Sequence, residues 1–262
     1  MPEFVEAEAY RRTAEPLVGQ RIDGLEIRDE RLLRQGDATT SVVGGVLGGA
    51  TIAAVRRIGK AVLIDTDSGH TAALAFGLRG WLSLDGQLAR ASGGWRTRMP
   101  TEEHLRLVIH SGERQLELED QLRLSTLRID IDEARFGIDI LELTPSDFRD
   151  ICAASGRQIK SLLMDQDRIA GIGNLIADEI FFQGKIDPRR PANELDKSEL
   201  EDLWVGVRRT RQRVLDRNGS HQTMLIQSGA REKGAECPRC KVEISRIEVG
   251  GRTTYFCPEH QR

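Results

Sequence analysis

The spacing of hydrophobic and polar residues changes character twice along the chain. Between about residues 51 and 119, short segments such as IAAVRRIG, AVLIDTDSG and LRLVIHSGE alternate apolar with polar positions, and turn residues separate them. This pattern is typical of an antiparallel sandwich or barrel. A helix is predicted ahead of it, over residues 3–17, with Val5, Ala9 and Leu17 facing inward. The glycine-rich stretch GWLSLDGQLARASGGWRTR is predicted as a loop.

From Thr144 onward the period becomes helical. Thr144 is a capping residue, Pro145 takes the first helical position and Asp147 the third, which together signal a helix start. The segments IKSLLMDQD, LIADEIFFQG and SELEDLWVGVRRTRQRVLDRNG continue with helical period, and short strands with cysteines follow. The predicted fold class is therefore α+β and multidomain. It has an N-terminal helix with an antiparallel β-sandwich (residues 1–143), a helical domain (144–228) and a cysteine module (229–262).

Composition changes this picture little, but the distribution of charge does. Charged residues make up 30% and hydrophobic residues 39% of the chain, and no apolar run reaches the length of a membrane span. The first residues lack the basic and apolar regions of a secretory leader, so a cytoplasmic location is expected. The net charge of −3 argues against nucleic acid as a partner, yet residues 205–262 hold 12 Lys and Arg against 6 Asp and Glu. That basic region indicates DNA binding, with a solvated helix face and polar tail as the alternative.

The strongest local signal is CPRC, sixteen further residues, and then CPEH. Two residues separate Cys237 from Cys240, two separate Cys257 from His260, and a hairpin-like stretch joins the two pairs. This spacing predicts a tetrahedral zinc site with a structural role. A disulfide is the alternative, but it would leave His260 without a function. Arg252, in VGGRTTYF, is predicted at the tip of the hairpin, where a solvated turn arginine is the alternative.

A glycine turn precedes one of the predicted helices, in RIAGIGNLIADEIFF. Gly171, Gly173 and Asn174 follow one helical segment and begin the next. Amides at a helix start cradle a phosphate, and glycines allow the tight turn. The alternative is a simple connection between helices, and the pattern is not a dinucleotide fingerprint because no strand precedes it.

Four segments occur in order along nearly the whole chain: MPEFVEAEAYRRTAEPLVGQRI, RRIGKAVLI, IKSLLMDQDRIAGIGNLIADEIFFQGKIDP and GRTTYFCPEHQR. Together they resemble the formamidopyrimidine-DNA glycosylase / endonuclease VIII family, nearer its formamidopyrimidine branch. The resemblance implies an N-terminal helix with a β-sandwich, a helix–two-turn–helix DNA-binding domain and a β-hairpin zinc finger. It also implies that damaged double-stranded DNA binds between the halves.

The resemblance gives the unusual start of the chain a chemical meaning. Removal of Met1 leaves Pro2 with a free secondary amine, whose ordinary pKa of about 8 keeps part of it neutral and nucleophilic. Such an amine attacks the sugar C1′ and forms an iminium, while Glu3 moves protons to the sugar or the leaving base. β-Elimination then breaks the strand. The target nucleotide must first be flipped out of the duplex.

Further roles follow from the same resemblance. Lys60 is implied to support catalysis and to hold a phosphate near the flipped nucleotide. Asn174 and Arg252 are implied to grip the same backbone, with Arg252 also in the catalytic set. Lys160 matches a further lysine near the DNA, and Glu6 an acid close to the site. For each of them a plain surface residue is the alternative.

The chain departs from the family pattern at the wedge positions. HLGMSG is AFGLRG here, which places Ala75 at the histidine and Leu78 at the methionine wedge. DPRRFG is aligned with residues 132–137, so Ala134 takes the position of the arginine that faces the orphaned base, and Arg135 and Phe136 follow. Wedges fill the stack that a flipped base vacates. Leu78 and Phe136 are expected to act as wedges and Arg135 to contact DNA, with altered discrimination of the opposite base.

Two departures concern the end of the chain. The stretch RNGSHQTMLIQSGAREKGAEC, before the zinc module, is shorter than the family's and lacks the loop that closes over 8-oxoguanine. Recognition of 8-oxoguanine is therefore not implied. The fourth zinc ligand is His260 where cysteine is usual, a substitution that zinc accepts.

The sequence predicts a bifunctional DNA glycosylase and abasic-site lyase of base excision repair, acting as a nucleoid-associated monomer without membrane contact. Its substrates are expected to be oxidised or ring-opened bases in duplex DNA. One alternative is a glycosylase for lesions other than 8-oxoguanine. A second is a DNA-binding sensor of lesions or abasic sites with weak or no base excision, and a third is a zinc-ribbon interaction protein.

Overall fold

The computed structural model of the chain divides into two compact units, residues 1–134 and residues 135–262. The structure describes residues 2–34, 38–89, 101–216, 225, 229–232 and 234–262. No helix in these ranges is long and apolar enough to span a membrane.

The described part of the first unit contains two α-helices and two antiparallel sheets. Its described helices and strands are α1 (Phe4–Ala14), β1 (Gly24–Ile27), α2 (Thr40–Leu47), β2 (Ile52–Ile58), β3 (Ala61–Thr66), β4 (Thr71–Ala75), β5 (Gly80–Leu84), β6 (Gln87–Leu88), β7 (Leu105–Ser111), β8 (Arg114–Asp120) and β9 (Thr126–Ile129). One sheet has the order β1-β7-β8-β5-β6 and the other β2-β3-β4-β9. Every described pairing in both sheets is antiparallel, which confirms the prediction from alternation.

The two sheets share one apolar core. Ile64 and Leu74 from one sheet and Leu107 and Leu118 from the other belong to the same buried cluster. The period of two puts such residues on the inner face of each strand. Tyr10 of α1 joins this cluster, so burial of the sandwich core also fixes the first helix.

Two local expectations differ from the structure. The start of the predicted loop, GWLSLDGQL, forms β5 and β6, because Leu82 packs into the core and β5 pairs along its length with β8. Residues 90–100 of that stretch lie outside the described residues. The segment TSVVGGVL, for which no helix was predicted, forms α2. The Thr39 hydroxyl caps it by accepting the Val42 amide at 3.3 Å.

The second unit is mainly helical. Its described elements are β10 (Ile138–Asp139), α3 (Pro145–Ala153), α4 (Ile159–Leu163), β11 (Ile169–Ala170), α5 (Asn174–Gly184), α6 (Lys197–Asp216), β12 (Ser245–Val249) and β13 (Arg252–Phe256). β12 and β13 form the antiparallel hairpin, and β10 pairs with β11 in parallel. The predicted cap of α3 is present, since Thr144 Oγ1 accepts the Asp147 amide at 3.2 Å.

Helix α5 lies at the centre of the second unit, and its residues from Ile176 to Gly184 are all buried. It meets α6 at two glycines. A Cβ built on Gly206 would lie 2.5 Å from the Ile180 carbonyl oxygen and 3.0 Å from the Gly184 amide nitrogen. The two helices approach this closely because neither carries a side chain at the contact.

Candidate functional site

The start of α1 buries the two residues to which the resemblance assigns the chemistry. Pro2 is buried and Glu3 is only 2% exposed. The Glu3 amide donates to Glu6 Oε2 at 2.8 Å, and the Glu3 carbonyl accepts the Ala7 amide at 3.1 Å. Glu6 therefore satisfies a backbone donor at the helix start, where the helix dipole also favours a carboxylate. This cap fixes the position of Glu3 and of the residue before it.

Lys60 lies half-buried in the tight turn between β2 and β3. Gly59 has φ +55°, which permits the turn, and its carbonyl oxygen accepts a hydrogen bond from Arg57 Nη1 at 2.8 Å. Arg57 Nε lies 3.6 Å from Glu8 Oε2 on α1. The Lys60 turn and the helix that begins with Pro2 and Glu3 are thus connected by a charge contact.

Glu8 is the centre of the charge cluster that makes this connection. It accepts hydrogen bonds from Arg11 Nε at 3.1 Å and from Arg12 Nε at 2.9 Å. Burial alone raises the pKa of Glu8, but the hydrogen bonds from Arg11 and Arg12 outweigh burial and lower the pKa below its ordinary value. The carboxylate therefore stays ionised at neutral pH.

Leu78, the predicted wedge, lies in the turn between β4 and β5 and is 46% exposed. The connection between β8 and β9, residues 121–125, runs beside this turn, because β4 pairs with β9 and β5 pairs with β8. A Cβ built on Gly77 would lie 2.6 Å from Leu124 Cβ, so the two connections are in contact. Leu122 and Leu124 are themselves 44% and 40% exposed.

The structure divides the residues predicted to act at the vacated stack between the two units. Arg135 and Phe136 belong to the second unit, in the segment ahead of β10, whereas Leu78 belongs to the first. Leu122 and Leu124, which the sequence analysis did not single out, lie on the connection that runs beside the turn of Leu78. DNA contact by Arg135, which is exposed, and by Phe136, which is half-buried, stays a prediction for the second unit.

In the second unit, Asn174 and Arg252 come together at the hairpin. Asn174 is the first residue of α5, and Arg252, which is exposed, is the first residue of β13. Asn174 Nδ2 donates to the Thr253 carbonyl oxygen at 2.9 Å. The hairpin turn also rests on α4, because a Cβ built on Gly250 would lie 2.2 Å from Ser161 Oγ. The two residues predicted to grip one stretch of backbone are therefore neighbours.

Lys160 lies in the interior, not at the surface where a DNA-contacting lysine is expected. Its side chain is fully buried, and Nζ donates to Asp178 Oδ1 at 2.6 Å and to Thr254 Oγ1 at 2.8 Å. Arg231 Nη2 pairs with the other carboxylate oxygen of Asp178 at 2.8 Å. In this structure the Lys160 ammonium joins β13 to α4 and α5, and a direct contact with DNA does not fit its burial.

The side chain of Gln166 supports the glycine turn before α5. Gln166 Nε2 donates to the carbonyl oxygens of Met164 and Ile172 at 2.8 and 2.9 Å, and Oε1 accepts the Gly171 amide at 3.0 Å. Gly171 has φ +112°, a conformation that favours glycine. The turn therefore presents the α5 N-terminus in a fixed orientation, and the dipole of that terminus favours an anion.

Cys237, Cys240, Cys257 and His260 meet in one cluster, as their spacing predicts. Their ligand atoms all lie within 4.8 Å of one another. Cys240 Sγ is 3.2 Å from Cys257 Sγ, and His260 Nδ1 is 3.5 Å from Cys237 Sγ. Zinc bond lengths give tetrahedral edges of about 3.5–3.8 Å, so the four residues fit the ion. A disulfide, with sulfur atoms about 2 Å apart, does not fit the same distances.

The surroundings of His260 suit a metal ligand. Burial, and then the charges of Arg239 and Lys185, lower the pKa of His260, so the imidazole is neutral. Its ring meets Phe182 edge-on with centroids 4.9 Å apart. Zinc is the cofactor of this protein, and its role is structural because the protein supplies all four ligands.

Family models match most of the chain. A formamidopyrimidine-DNA glycosylase N-terminal domain matches residues 1–127, and a formamidopyrimidine-DNA glycosylase H2TH domain matches residues 140–225. A zinc finger found in FPG and IleRS matches residues 234–259. The three matches follow the order of the β-sandwich, the helices and the zinc hairpin.

Relatives match over full length. The formamidopyrimidine-DNA glycosylase of Lactobacillus delbrueckii subsp. bulgaricus is 30% identical over 285 residues, and that of Carboxydothermus hydrogenoformans 28% over 282, with 100% of each chain covered. The Lactococcus lactis enzyme bound to abasic-site DNA is 25% identical with a TM-score of 0.82 over 99% of both chains. Its complex with oxidised-pyrimidine DNA gives 24% and 0.81 over 100% of both. The chain belongs to the formamidopyrimidine-DNA glycosylase family.

Proposed function

We propose that this protein is a bifunctional DNA glycosylase and abasic-site lyase of base excision repair. The observation that carries the proposal is the start of α1, where Pro2 and Glu3 are buried beside the Glu6 cap in a chain of the formamidopyrimidine-DNA glycosylase family. The substrate is duplex DNA of the nucleoid that carries an oxidised or ring-opened base. Relatives of the same fold bound to abasic and damaged DNA support this assignment.

Base removal uses the Pro2 amine as the nucleophile. After removal of Met1, the neutral amine attacks C1′ of the flipped nucleotide, and the bond between C1′ and the base breaks. The base leaves with a proton, and Glu3 carries protons to the base or to the sugar ring oxygen. Opening of the ring then gives an iminium between C1′ and the Pro2 nitrogen.

Strand cleavage follows from the same iminium. The positive nitrogen acidifies the hydrogens on C2′, so loss of one of them expels the phosphate from C3′ by β-elimination. Water then hydrolyses the iminium, which releases the sugar fragment and restores the Pro2 amine. Both activities therefore depend on one nitrogen, and loss of that nitrogen abolishes both.

Phosphate binding is divided among three side chains in this proposal. Lys60 in the first unit supports catalysis and holds a phosphate near the flipped nucleotide. Asn174 and Arg252, which share the Thr253 segment in the second unit, hold the same backbone. Two observations support these roles. Each of the three side chains is exposed or half-buried, and each lies at a turn of fixed conformation.

Lys160 has an indirect role in the proposal. Its buried contacts with Asp178 and Thr254 fix the strand that Arg252 begins, so we assign it to positioning. The three functional parts proposed are residues 1–143 for catalysis, 144–228 for DNA binding and 229–262 for the zinc finger. Residues 135–143 of the first part belong to the second compact unit.

Borohydride trapping tests the proposal. Purified protein, with Met1 removal confirmed by mass spectrometry, is incubated with a duplex that contains one abasic site, and borohydride is added. We expect a covalent protein–DNA band that Pro2→Gly greatly weakens and that peptide mapping places on Pro2. A Glu15→Gln variant, changed at an exposed position of the same segment, should trap like the wild type. DNA binding without any band would contradict the lyase assignment and favour the lesion sensor.

A further inference from the structure

Arg128 differs from the other covered arginines of the first unit. It is half-buried in β9 and forms no hydrogen bond or ion pair with any residue that the structure describes. The other buried or half-buried arginines in the described part of this unit each lie beside a carboxylate; they are Arg11, Arg57, Arg106 and Arg114. A covered charge without a counter-ion is unfavourable, so the unpaired arginine indicates an anion that is not part of the chain.

The guanidinium of Arg128 reaches solvent although much of its side chain is covered. Among the described side chains, the buried polar atoms that lack a hydrogen-bond partner include no nitrogen of Arg128. Since these nitrogens have no partner among the described residues, they are accessible to water. Arginine covers its aliphatic stem in this way while its charged head stays at the surface. The head group is therefore available to a ligand.

Arg128 lies on the face of its sheet that points away from the sandwich core. Leu127 belongs to the core cluster and Ile129 packs against it, so the residue between them lies on the opposite, outer face. Ala73 of β4 pairs directly with Arg128, and Ala75 is two residues further along the same strand. Directly paired residues and residues two apart share a face, so both alanines lie on the outer face as well.

Two acidic residues of the same sheet region have other partners. Asp130, directly after β9, accepts the Thr71 amide at 2.8 Å, and its other carboxylate oxygen lies 2.7 Å from His70 Nδ1. Asp65 of β3 accepts hydrogen bonds from Arg56 Nη2 at 2.9 Å and from the Thr71 hydroxyl at 2.8 Å. Neither carboxylate neutralises the unpaired arginine of β9.

The Lys60 turn lies in the same sheet as Arg128. Ala61, which follows Lys60, pairs with Ala75, and Ala75 pairs with Thr126 of β9. Two strand spacings of about 4.8 Å and two residues of about 3.4 Å place Arg128 roughly 12 Å from the start of β3. Each strand of DNA carries one phosphate per about 3.4 Å of helix axis, so this distance corresponds to about three or four nucleotides.

We propose that Arg128 binds a backbone phosphate of the duplex, about three or four nucleotides from the phosphate that Lys60 holds. The inference rests on the proposed function and adds a phosphate contact on the first unit, away from the reacting nucleotide. The contact is charge-assisted and carries no sequence information, so it orients the duplex and does not select the lesion. A bound phosphate supplies the counter-ion that the described part of the chain does not.

The first test measures how DNA affinity depends on salt. A duplex with one tetrahydrofuran abasic analogue is titrated with wild type and with Arg128→Gln between about 50 and 200 mM salt. We expect the variant to bind about threefold to tenfold more weakly at the lower salt. The slope of log K against log salt should fall by about 0.9, the value for one phosphate contact. An unchanged slope overturns the proposal.

Two further variants control this test. Arg128→Lys keeps the charge and should retain most of the slope and of the affinity. Arg114→Gln is the matched control, because Arg114 is also half-buried but lies in the other sheet, with its Nε 3.6 Å from Asp85 Oδ2. Its slope should equal that of the wild type. A loss of slope in Arg114→Gln as large as that in Arg128→Gln would contradict a specific contact.

Methylphosphonate substitution locates the phosphate. One uncharged linkage is placed in turn at each position of both strands around the abasic analogue. The wild type should lose affinity at the linkage that Arg128 contacts, and Arg128→Gln should lose little there because the contact is already absent. Lys60→Gln should be insensitive at a different linkage, about three or four nucleotides away. Equal losses for wild type and Arg128→Gln at every linkage contradict a direct contact.

Stability separates this role from a structural one. A half-buried charge without a partner in the chain does not favour folding, so Arg128→Gln should unfold at the same or a higher urea concentration than the wild type. A parallel loss of stability and affinity would make Arg128 a structural residue and overturn the proposal. If the wild type binds an abasic duplex but does not cleave it, the proposed function fails instead, and the salt slope and the methylphosphonate scan still decide the role of Arg128.

Discussion

The two units hold their candidate residues in opposite ways. In the first unit an apolar sandwich core supports α1, and the charges around Glu8 lie at the edge of that core. In the second unit the charges lie inside, where Lys160 and Asp178 are both fully buried beneath the zinc hairpin. Loss of one member of a buried ion pair costs several kcal/mol, whereas the Glu8 cluster includes partly exposed arginines and its loss should cost less. We therefore expect substitutions in the second unit to have the larger effects.

Loss of zinc is expected to have the largest effect on the second unit. Cys257→Ala removes one of four ligands, and structural zinc contributes about 10–16 kcal/mol to the folding of small zinc modules. The hairpin that carries Arg252 should then unfold, with loss of bound zinc and of affinity for abasic-site DNA. Atomic absorption and a DNA-binding assay measure both quantities.

Cys152→Ala is the control for this prediction. Cys152 is fully buried in α3, and burial raises the pKa of its thiol to about 12, so it is a core residue and not a metal ligand. This variant should retain one zinc per chain. Zinc loss from Cys152→Ala, or retention by Cys257→Ala, would contradict the assigned ligand set.

Asp178→Asn is expected to have the next largest effect. It leaves the Lys160 ammonium buried without its counter-ion and removes the partner of Arg231. Breaking a buried pair on one side costs about 3–5 kcal/mol. Urea denaturation should show this decrease in the free energy of unfolding. Glu26→Gln is the comparison in the first unit, since Glu26 pairs with Arg28 at the surface and its loss should cost less than about 1 kcal/mol.

A pair of glycine substitutions compares helix packing in the two units. Gly206→Ala places a Cβ 2.5 Å from the Ile180 carbonyl oxygen, so α5 and α6 must move apart at a cost of about 1–3 kcal/mol. Gly45→Ala in α2 meets nothing within 4 Å and should instead stabilise by up to about 1 kcal/mol, since alanine favours helix. Thermal unfolding measures the change in stability of both variants. An increase in stability of Gly206→Ala would contradict the close contact between α5 and α6.

The sequence predicted most of the fold because local patterns and the final packing agree. The alternation of apolar and polar residues predicted the strands of the sandwich. Thr144 predicted the start of α3, and two CxxC-like spacings predicted the zinc ligands. The helix α2 was missed because two glycines hide its period, and only burial of Val43 and Leu47 in the core makes it favourable. Local propensity carries no information about such tertiary support.

The candidate site was less predictable, because its arrangement depends on contacts between segments far apart in sequence. The sequence analysis aligned the wedge motif with residues 132–137 and did not single out residues 120–125. Only the pairing of β4 with β9 shows that this loop adjoins Leu78. The burial of Lys160 depends likewise on Asp178, eighteen residues away.

The smallest expected effect concerns the acid stability of the first unit. The pKa of Glu8 is lower in the folded than in the unfolded chain, because the Arg11 and Arg12 hydrogen bonds outweigh burial. As pH falls, the unfolded state therefore binds the proton first. The contribution of Glu8 is fully present above its ordinary pKa of 4.5 and is lost as pH falls through the lowered value.

Glu8→Gln should accordingly flatten the dependence of the unfolding free energy on pH below about 4.5 and reduce stability at pH 7. Glu15→Gln is the control. The Glu15 side chain is 57% exposed, so this substitution should change stability little. Urea titrations at several pH values give the slopes. An unchanged slope in Glu8→Gln would contradict the lowered pKa of Glu8 and its hydrogen bonds with Arg11 and Arg12.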